Sequence, residues 1–246
     1  MLTVVVLTRN EEKHIAACLE SVRGFADELV VFDSHSDDAT PEVAEKLGAK
    51  LYQREFDDWA NQRNAALAAA AHDWVFFVDA VERADISLGE EIHARIADGE
   101  SDPNAAVLYW VPRKNYIFGK WIRYTGWSPD YQPRVMRRDR AHFDPARPVH
   151  ELVIAGGAVG YLSCPLVHLN YENIAQFRKK QMLYTRLEAQ ELYEQGLKPR
   201  ARGLIGQPVR EFARRFISLR GYRDGAHGLL LSLLMAYYAF VRQRLL

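Results

Sequence analysis

The 246-residue sequence is poor in cysteine and lacks a glycine-rich phosphate-binding loop. Only Cys18 and Cys164 are present, which excludes a disulfide scaffold and favours a reducing compartment. No close Cys/His spacing suggests a zinc site. Neither the dinucleotide nor the Walker pattern of glycines occurs, and there is no Gly-x-Ser-x-Gly nucleophile elbow. Any chemistry must therefore come from carboxylates, histidines and arginines.

The chain also lacks a net charge, because 32 Lys and Arg side chains balance 32 Asp and Glu side chains. This balance conceals an asymmetry. Residues 1–197 carry 22 basic and 30 acidic side chains, whereas residues 198–246 carry 10 basic and 2 acidic ones. We therefore divide the chain into one domain over 1–197 and a basic segment over 198–246.

Apolar runs alternate with helical patterns over the first 80 residues. Residues 2–7 form a continuous apolar run, which indicates a strand buried on both faces rather than a signal peptide. Further strands are predicted at 28–33, 50–53 and 74–78. The helices between them are predicted to begin at Asn10 as N-cap, at Thr40-Pro41 and near Trp59. A long helix is predicted from about Glu172 to Gly196.

This alternation predicts an α/β fold, with a mixed, mainly parallel sheet, helices on both faces and a C-terminal helical segment. Ligands of such sheets bind beyond the carboxyl ends of the strands, where Thr8, Asn10, Asp33 and Asp79 occur. Turn formation alone would also explain these polar residues. A strand-end aspartate can instead accept a hydrogen bond from a nucleobase or ribose, or ligate a cation that holds a diphosphate.

Seven short segments carry a resemblance to a known family. They are VVVLTRNE at 4–11, VFDS at 31–34, QRNA at 62–65, FVDA at 77–80, WSPDYQPR at 127–134, VHE at 149–151 and HLNY at 168–171. In order and spacing the chain resembles the family 2 glycosyltransferases with the GT-A fold. The last three segments resemble their lipopolysaccharide-core glucosyltransferase-like branch. The resemblance implies transfer of a sugar from a nucleotide-diphosphate donor, expected to be a UDP-sugar, with inversion at the anomeric carbon.

The resemblance also implies roles for individual residues. Asp79 matches the first aspartate of the Asp-x-Asp motif for a divalent cation, Mg²⁺ or Mn²⁺, and His168 resembles the late histidine that completes this site. Glu151 aligns with the general base that takes the acceptor proton, and Asp130 is the second choice. The nucleotide pocket is matched by Thr8, Asn10, Glu11, Asp33, Arg63 and Asp79.

Several of these roles have structural alternatives. Glu151 could form a salt bridge with Arg147, and His168 could be a core histidine. Arg134 could hold the diphosphate through two hydrogen bonds or lie on the surface. Direct displacement needs a carboxylate that takes the acceptor proton and a cation that stabilises the departing diphosphate.

Val81 departs from the family pattern. Asp-Ala-Val-Glu-Arg stands at 79–83, where the branch has Asp-Ala-Asp-Glu-Arg, and a valine cannot bind a metal. Three explanations stay open: Asp79, His168 and waters hold the cation; Glu82 replaces the lost ligand; or the chain is a weakened or inactive variant. On a strand, the side chain of Glu82 would face away from that of Val81.

The C-terminal segment predicts contact with a membrane surface. Residues 204–219 place apolar side chains at spacings of three and four, with arginines between them, as in a basic amphipathic helix on an anionic membrane. The uncharged run 226–241 falls short of the roughly 20 residues that span a bilayer, which predicts an interfacial or re-entrant helix. A helix pair packed on the catalytic domain or a homo-oligomer contact is the alternative. Nucleic acid is not expected, because no binding motif accompanies the charge.

We therefore expect an inverting hexosyltransferase that acts on a glycolipid or lipopolysaccharide-core acceptor. Its expected location is cytoplasmic and peripheral, on the inner face of the cytoplasmic membrane. The second hypothesis is a catalytically silent scaffold that binds sugar nucleotides, because Val81 interrupts the metal motif. Nucleotidyl transfer to a sugar phosphate is disfavoured, since the sequence lacks the glycine-rich, lysine-bearing N-terminal loop of such enzymes.

Overall fold

The computed structural model describes residues 1–102, 104–146, 152–198 and 202–246. They divide into two compact units. The first comprises Met1–Arg113 and Tyr131–His168, and the second comprises Lys114–Asp130 and Leu169–Leu246. These two units are defined by packing within the structure. The boundary between residues 197 and 198 is a separate prediction, made from the distribution of charge, and it stays a prediction.

Strands and helices alternate along the N-terminal part of the chain, as predicted. The strands in chain order are β1 (Leu2–Thr8), β2 (Glu28–Asp33), β3 (Lys50–Gln53), β4 (Trp74–Asp79), β5 (Glu82–Arg83), β6 (Leu108–Ile117), β7 (Lys120–Trp121), β8 (Tyr131–Arg137), β9 (Ala141–Phe143), β10 (Val153–Ala155), β11 (Val159–Tyr161) and β12 (Leu166–Tyr171). The α-helices are α1 (Glu12–Val22), α2 (Thr40–Lys46), α3 (Trp59–Ala69), α4 (Ile86–Ser101), α5 (Ile174–Glu194), α6 (Gly203–Ala213) and α7 (Ala226–Leu245).

One mixed sheet contains most of these strands, in the order β3-β2-β1-β4-β8-β6-β12-β5, with β7 and β11 paired to β6. β3, β2, β1 and β4 run parallel to one another, whereas β8 is antiparallel to both β4 and β6. β9 and β10 form a separate antiparallel pair. The predicted α/β fold with a mixed sheet is confirmed.

Helices cover both faces of the parallel strands. Successive side chains of a strand point to opposite faces, so neighbouring residues of β1 and β4 enter different cores. Val4 and Phe76 pack in one core with α1 and α4. Val5 and Phe77 pack in the other core with α3. Because β1 is buried on both faces, its continuous apolar sequence is explained.

Two predicted helix caps are wrong. Asn10 has a left-handed backbone conformation (φ 57°), and Glu11 occupies the N-cap position of α1. Thr40 is the first residue of α2, and Ala39 precedes it as N-cap. The carboxylate of Asp38 accepts a hydrogen bond from the backbone N–H of Thr40 (2.9 Å). The Asp38 carboxylate thus satisfies a backbone N–H in the first turn of α2, a role that the sequence interpretation gave to Thr40.

The second unit is built mainly from α5, α6 and α7. Phe177 of α5 lies at its core, and its ring contacts Tyr171 (centroids 4.7 Å apart) and Tyr238 of α7 (6.2 Å). α6 continues into a π-helical segment, Arg214–Ser218, and a 3₁₀ turn, Gly221–Asp224, precedes α7. Among the described residues, no helix is both long enough and apolar enough to cross a membrane.

Asp224 holds a loop of the second unit together. Its buried carboxylate accepts hydrogen bonds from the backbone N–H groups of Tyr124 (2.9 Å) and Arg123 (3.2 Å). The hydroxyl of Thr125 donates a third bond (3.0 Å). A buried carboxylate with three donors is well satisfied, whereas its loss would leave those donors without an acceptor.

We expect Asp224→Ala to lower the free energy of unfolding by about 3 kcal/mol, because three donors lose their acceptor. Urea denaturation followed by circular dichroism measures this change. The control is Glu194→Ala, which removes an exposed carboxylate near the end of α5 and should change the stability little. Equal stability of the two variants would contradict this role of Asp224.

Candidate active site

The carboxyl ends of β2, β1 and β4 lie side by side and bring predicted polar residues together. In the parallel register, Thr8 of β1 is paired with Asp33 of β2, and Leu7 of β1 is paired with Asp79 of β4. Each aspartate is the last residue of its strand. This is the edge at which parallel sheets bind ligands.

Asp33 is completely buried and organises the loop after β2. Its carboxylate accepts hydrogen bonds from the Thr8 hydroxyl (2.9 Å), the Ser36 hydroxyl (2.6 Å) and the Ser36 backbone N–H (2.8 Å). Three donors satisfy most of the acceptor sites of this carboxylate, which explains how it can be buried.

Hydrogen bonds join the loop after β1 to the loop after β2. The backbone N–H of Asn10 donates to the Ser36 hydroxyl (2.8 Å), and the Asn10 side-chain oxygen accepts from the backbone N–H of Asp37 (3.0 Å). The backbone N–H of Glu11 donates to the hydroxyl of Thr40 (2.8 Å). The predicted nucleotide residues Thr8, Asn10, Glu11 and Asp33 therefore belong to one connected structure.

Asp79, which is partly exposed, and the buried Arg134 form a two-bond ion pair. The guanidinium of Arg134 donates from Nη1 to Oδ1 of Asp79 (3.2 Å) and from Nη2 to Oδ2 (2.5 Å). Nη2 of Arg63 lies 3.6 Å from Oδ1 of Asp79. Burial alone would raise the pKa of Asp79, but the charges of Arg134 and Arg63 outweigh it and lower that pKa. The alternative of a surface arginine is wrong, because Arg134 is only 3% exposed.

Glu82 extends this ion pair. Its fully buried carboxylate accepts hydrogen bonds from Nη2 of Arg134 (2.7 Å) and from the backbone N–H of Asp79 (2.9 Å). Nη1 of Arg113 lies 3.6 Å from the same carboxylate. Burial raises the pKa of Glu82, although both arginines oppose the shift.

Arg63 is held by packing rather than by its charge alone. It lies on α3, is 7% exposed, and its guanidinium carbon is 5.3 Å from the centre of the Phe77 ring and 5.4 Å from that of Phe143. The side chain of Asn64 bonds both the backbone N–H (2.9 Å) and the backbone carbonyl (2.8 Å) of Phe143. Two aromatic rings and a fixed strand therefore orient this cation.

His168 lies in the same unit as this cluster. It is 9% exposed and stands opposite Glu82 in the pairing of β12 with β5. Its ring acts on Asp79 electrostatically and contributes to the lowered pKa of that carboxylate. His168 is therefore a buried histidine that also lies close enough to Asp79 to act on its charge.

Of the two candidate bases, only Asp130 lies among the described residues. Glu151 lies outside the described residues, as does Arg147, so the role of Glu151 stays a prediction. Asp130 belongs to the second unit, where its half-buried carboxylate accepts a hydrogen bond from Nδ2 of Asn115 (2.8 Å).

Comparison with known proteins identifies the family. The model of glycosyl transferase family 2 matches residues 3–147, more than half of the chain. The chain belongs to glycosyl transferase family 2. This glycosyltransferase is 27% identical to the lipopolysaccharide core biosynthesis glycosyltransferase LpsC of Rhizobium meliloti, over 98% of this chain and 89% of that protein. It is 26% identical to an uncharacterized glycosyltransferase of Rickettsia conorii, over 98% of this chain and 88% of that protein.

Solved structures of other glycosyltransferases share the fold. S. aureus TarS in complex with UDP-GlcNAc superimposes with a TM-score of 0.51 at 18% identity, over 97% of this chain and 81% of that one. Glucosyl-3-phosphoglycerate synthase from Mycobacterium tuberculosis in complex with Mg²⁺ and UDP gives a TM-score of 0.51 at 17% identity, over 82% of this chain and 81% of that one. The predicted GT-A fold of this glycosyltransferase is confirmed.

The described side chains of this glycosyltransferase do not fit a divalent cation at the Asp-x-Asp position. Both oxygens of Asp79 accept hydrogen bonds from Arg134, and Val81, in the turn between β4 and β5, offers no ligand. Within the described ranges, no group of three or more His, Cys, Asp or Glu side chains is arranged to hold a metal ion. The metal roles of Asp79 and His168 stay predictions.

The sequence interpretation missed Arg113 and Ser36. Arg113 lies on β6 and reaches Glu82 through the sheet, and no motif surrounds it in the sequence. Ser36 follows Asp33 by three residues within a turn-forming stretch, which is the spacing of a side chain that bonds the backbone of its own turn. That spacing could have identified Ser36.

We expect Val81→Asp to raise the affinity for Mn²⁺ and the turnover, because a second carboxylate two residues after Asp79 adds a ligand and a negative charge. Calorimetric titration with Mn²⁺ measures the affinity. Val81→Asn is the control, since it has nearly the same shape without the charge. Unchanged affinity and turnover in Val81→Asp would show that residues 79–83 are not a metal site.

Proposed function

We propose that this glycosyltransferase transfers a hexose from a UDP-sugar, with inversion, to a glycolipid or lipopolysaccharide-core acceptor at the cytoplasmic face of the membrane. The observation that carries the proposal is the buried arginine pair, Arg134 and Arg63, around Asp79 at the ligand-binding edge of the sheet. The UDP-GlcNAc complex of TarS supports a UDP-sugar donor. The name of LpsC supports a lipopolysaccharide-core acceptor.

The nucleotide end of the donor is assigned to the carboxyl ends of β1 and β2. Asp33 is completely buried, so its part in this proposal is to fix the hydroxyls of Thr8 and Ser36 at the edge of the pocket, in place before the nucleotide arrives. Asn10 and Glu11 lie in the adjoining loop and complete the pocket in this proposal.

The reaction is a single displacement at the anomeric carbon. The acceptor hydroxyl oxygen forms a bond to that carbon, and the bond from the carbon to the diphosphate oxygen breaks with its electron pair on the diphosphate. The acceptor proton passes to a carboxylate, for which Glu151 is the first choice and Asp130 the second. The described side chains do not fit a divalent cation, so this displacement is described from the residues of the chain alone.

A catalytically silent scaffold that binds sugar nucleotides is the second candidate, and Val81 is the observation that favours it. A donor-hydrolysis assay separates the two functions. A transferase releases sugar slowly from UDP-hexoses even without acceptor, whereas a silent scaffold binds the donor and leaves it intact.

We expect Asp33→Asn to weaken UDP binding by about tenfold or more, because an amide replaces one acceptor oxygen by a donor next to the hydroxyls of Thr8 and Ser36. Isothermal titration calorimetry with UDP measures the change. The control is Asp73→Asn at the amino end of β4, where the carboxylate is 70% exposed and unrelated to the pocket. Equal losses in the two variants would refute this pocket assignment.

Membrane contact is assigned to α6 and the π-helical segment after it. Ile205 is 75% exposed, Val209 61% and Ile217 62%, at spacings of four and eight that keep them on one side of the helix. Exposed arginines, Arg202, Arg210, Arg214 and Arg220, lie in the same stretch. Apolar residues at this exposure beside cations suit an anionic bilayer surface.

We expect the double variant Ile205→Ser, Val209→Ser to bind phosphatidylglycerol vesicles about tenfold more weakly, because it removes exposed apolar surface without changing charge. Vesicle sedimentation measures the binding, with phosphatidylcholine vesicles as the uncharged comparison. The matched control is Leu183→Ser on α5, where the leucine is 56% exposed. Full vesicle binding by the double variant would favour the alternative, a packing or oligomer surface.

A further inference from the structure

We infer that three aromatic side chains of the first unit form a platform that binds a sugar ring of the acceptor. This aromatic platform consists of Trp110, Tyr131 and Tyr161. The inference rests on the proposed saccharide acceptor and deepens it, because it assigns the side chains that hold this substrate and the way in which they recognise it.

Tyr161 lies at the centre of the aromatic platform. Its ring is stacked on that of Trp110, with centroids 6.4 Å apart and planes inclined by 24°. It meets the ring of Tyr131 edge to face, at 5.3 Å and 88°. Tyr161 is 62% exposed, Tyr131 is 37% exposed and Trp110 is half-buried. The three rings therefore hold one another in place and still present a surface to solvent.

Strands fix the backbone of the aromatic platform. Trp110 of β6 and Tyr161 of β11 are direct partners in a parallel register. Tyr131 is the first residue of β8 and is paired with Pro112 of β6. Because the three rings stand on paired strands rather than on loops, little conformational freedom is lost when a ligand binds.

The chemistry of the aromatic platform suits a sugar. A pyranose ring has apolar C–H groups on its faces and hydroxyl groups around its edge. An aromatic ring can cover the C–H face, while a phenol hydroxyl exchanges hydrogen bonds with the edge. The hydroxyls of Tyr131 and Tyr161 form no hydrogen bond with another residue in the described part of the chain. Both are therefore available to the hydroxyl groups of a bound sugar.

The aromatic platform lies on the same face of the sheet as Asp79. Phe77 of β4 and Leu108 of β6 pack in the core with α3. Side chains two residues further along a strand return to the same face, which applies to Asp79 after Phe77 and to Trp110 after Leu108. One strand, β8, separates β4 from β6, so these two strands lie about 10 Å apart. An oligosaccharide bound at one ring can reach across this distance to the end of β4.

A β-bulge joins the aromatic platform to the ion pairs of Arg134. The partner of Tyr109 on β8 is Val135, and that of the next residue, Trp110, is Pro133. Arg134 is therefore the extra residue of β8. A bulge bends its strand locally and changes where its side chains point, and bulges are common beside active sites. The arginine of the candidate active site and the strand partner of Trp110 are thus consecutive in the chain.

The size of the aromatic platform favours a sugar over a protein partner. An aromatic side chain buries about 150–250 Å² when it is covered completely, and all three rings are already partly covered. The platform alone therefore offers well below the roughly 800 Å² per partner of a stable protein interface. A small ligand with a flat apolar face and a polar edge matches this area.

Binding of core oligosaccharide, released from rough lipopolysaccharide by mild acid, tests the aromatic platform. Tyr161→Ala removes the central ring, so the affinity for the oligosaccharide should fall about tenfold. The affinity for UDP should be unchanged, since Tyr161 lies outside the proposed nucleotide pocket. Isothermal titration calorimetry measures both affinities, and circular dichroism checks that the variant is folded.

Further variants separate ring stacking from apolar bulk. Tyr161→Phe keeps the ring and loses one hydroxyl, so it should lose less affinity than the alanine variant. Tyr161→Leu keeps apolar bulk without a ring and should bind as weakly as the alanine variant. Tyr131→Ala should weaken binding in the same direction. The matched control is Tyr193→Ala on α5, where the tyrosine is 67% exposed, and it should leave oligosaccharide affinity unchanged.

The outcomes separate the inference from the proposed function. If the unmodified chain binds the oligosaccharide and both alanine variants of the platform bind it equally well, the inference is overturned and the acceptor proposal stands. Full affinity in Tyr161→Leu also overturns it, because stacking on a ring is then not required. If the unmodified chain binds UDP but no oligosaccharide, the lipopolysaccharide-core acceptor fails and the inference fails with it.

Analytical ultracentrifugation tests the competing use of the same surface. If the unmodified chain self-associates, and Tyr161→Ala is monomeric with full oligosaccharide affinity, the platform is an interface between copies of the chain and the inference is overturned. Should Tyr161→Ala fail to fold, Tyr131→Ala and Tyr161→Leu still decide.

Discussion

Strand β1 is paired with β2 on one side and β4 on the other, and helices cover both of its faces. Every backbone polar group along it must therefore be satisfied within the sheet. The one polar side chain inside the strand, Thr3, donates a hydrogen bond to Glu28 (2.8 Å), and residues 4–7 are apolar. Thr8 ends this apolar run. The ends of the flanking strands, Asp33 and Asp79, are fixed by the same register, so the site is located by the packing of one strand.

The cluster around Arg134 shows how buried charges can be retained. Removal of one partner from a buried ion pair costs about 3–5 kcal/mol, whereas the intact pair adds little to stability. Asp79 and Glu82 therefore depend on Arg134 as much as Arg134 depends on them. The opposite pKa shifts of the two carboxylates follow from position: Asp79 bonds both Nη atoms of Arg134, and Glu82 is wholly desolvated.

The parallel strands and the strand-end aspartates could be predicted, because local hydrophobic runs and turn residues determine them. The resemblance to the family placed Arg63 and His168 near Asp79 as well. The caps at Asn10 and Thr40 could not be predicted, since both depend on hydrogen bonds to another loop. Helix α4 was not anticipated, and the pairing of Arg113 with Glu82 depends on strands far apart in the sequence. Local sequence patterns determine the strands and helices, whereas packing between distant segments determines which charged side chains form ion pairs.

The loops after β1 and β2 are joined by hydrogen bonds in both directions. Besides the bonds of Asn10 and Glu11, the backbone N–H of Glu12 donates to Asp38 (3.1 Å), and the Glu12 carboxylate accepts from the backbone N–H of Ala39 (3.1 Å). Neither loop can open without breaking bonds to the other, so their amides should exchange with solvent as one cooperative unit. A nucleotide that orders one loop would slow exchange in both, and the amino ends of α1 and α2 would report its arrival together.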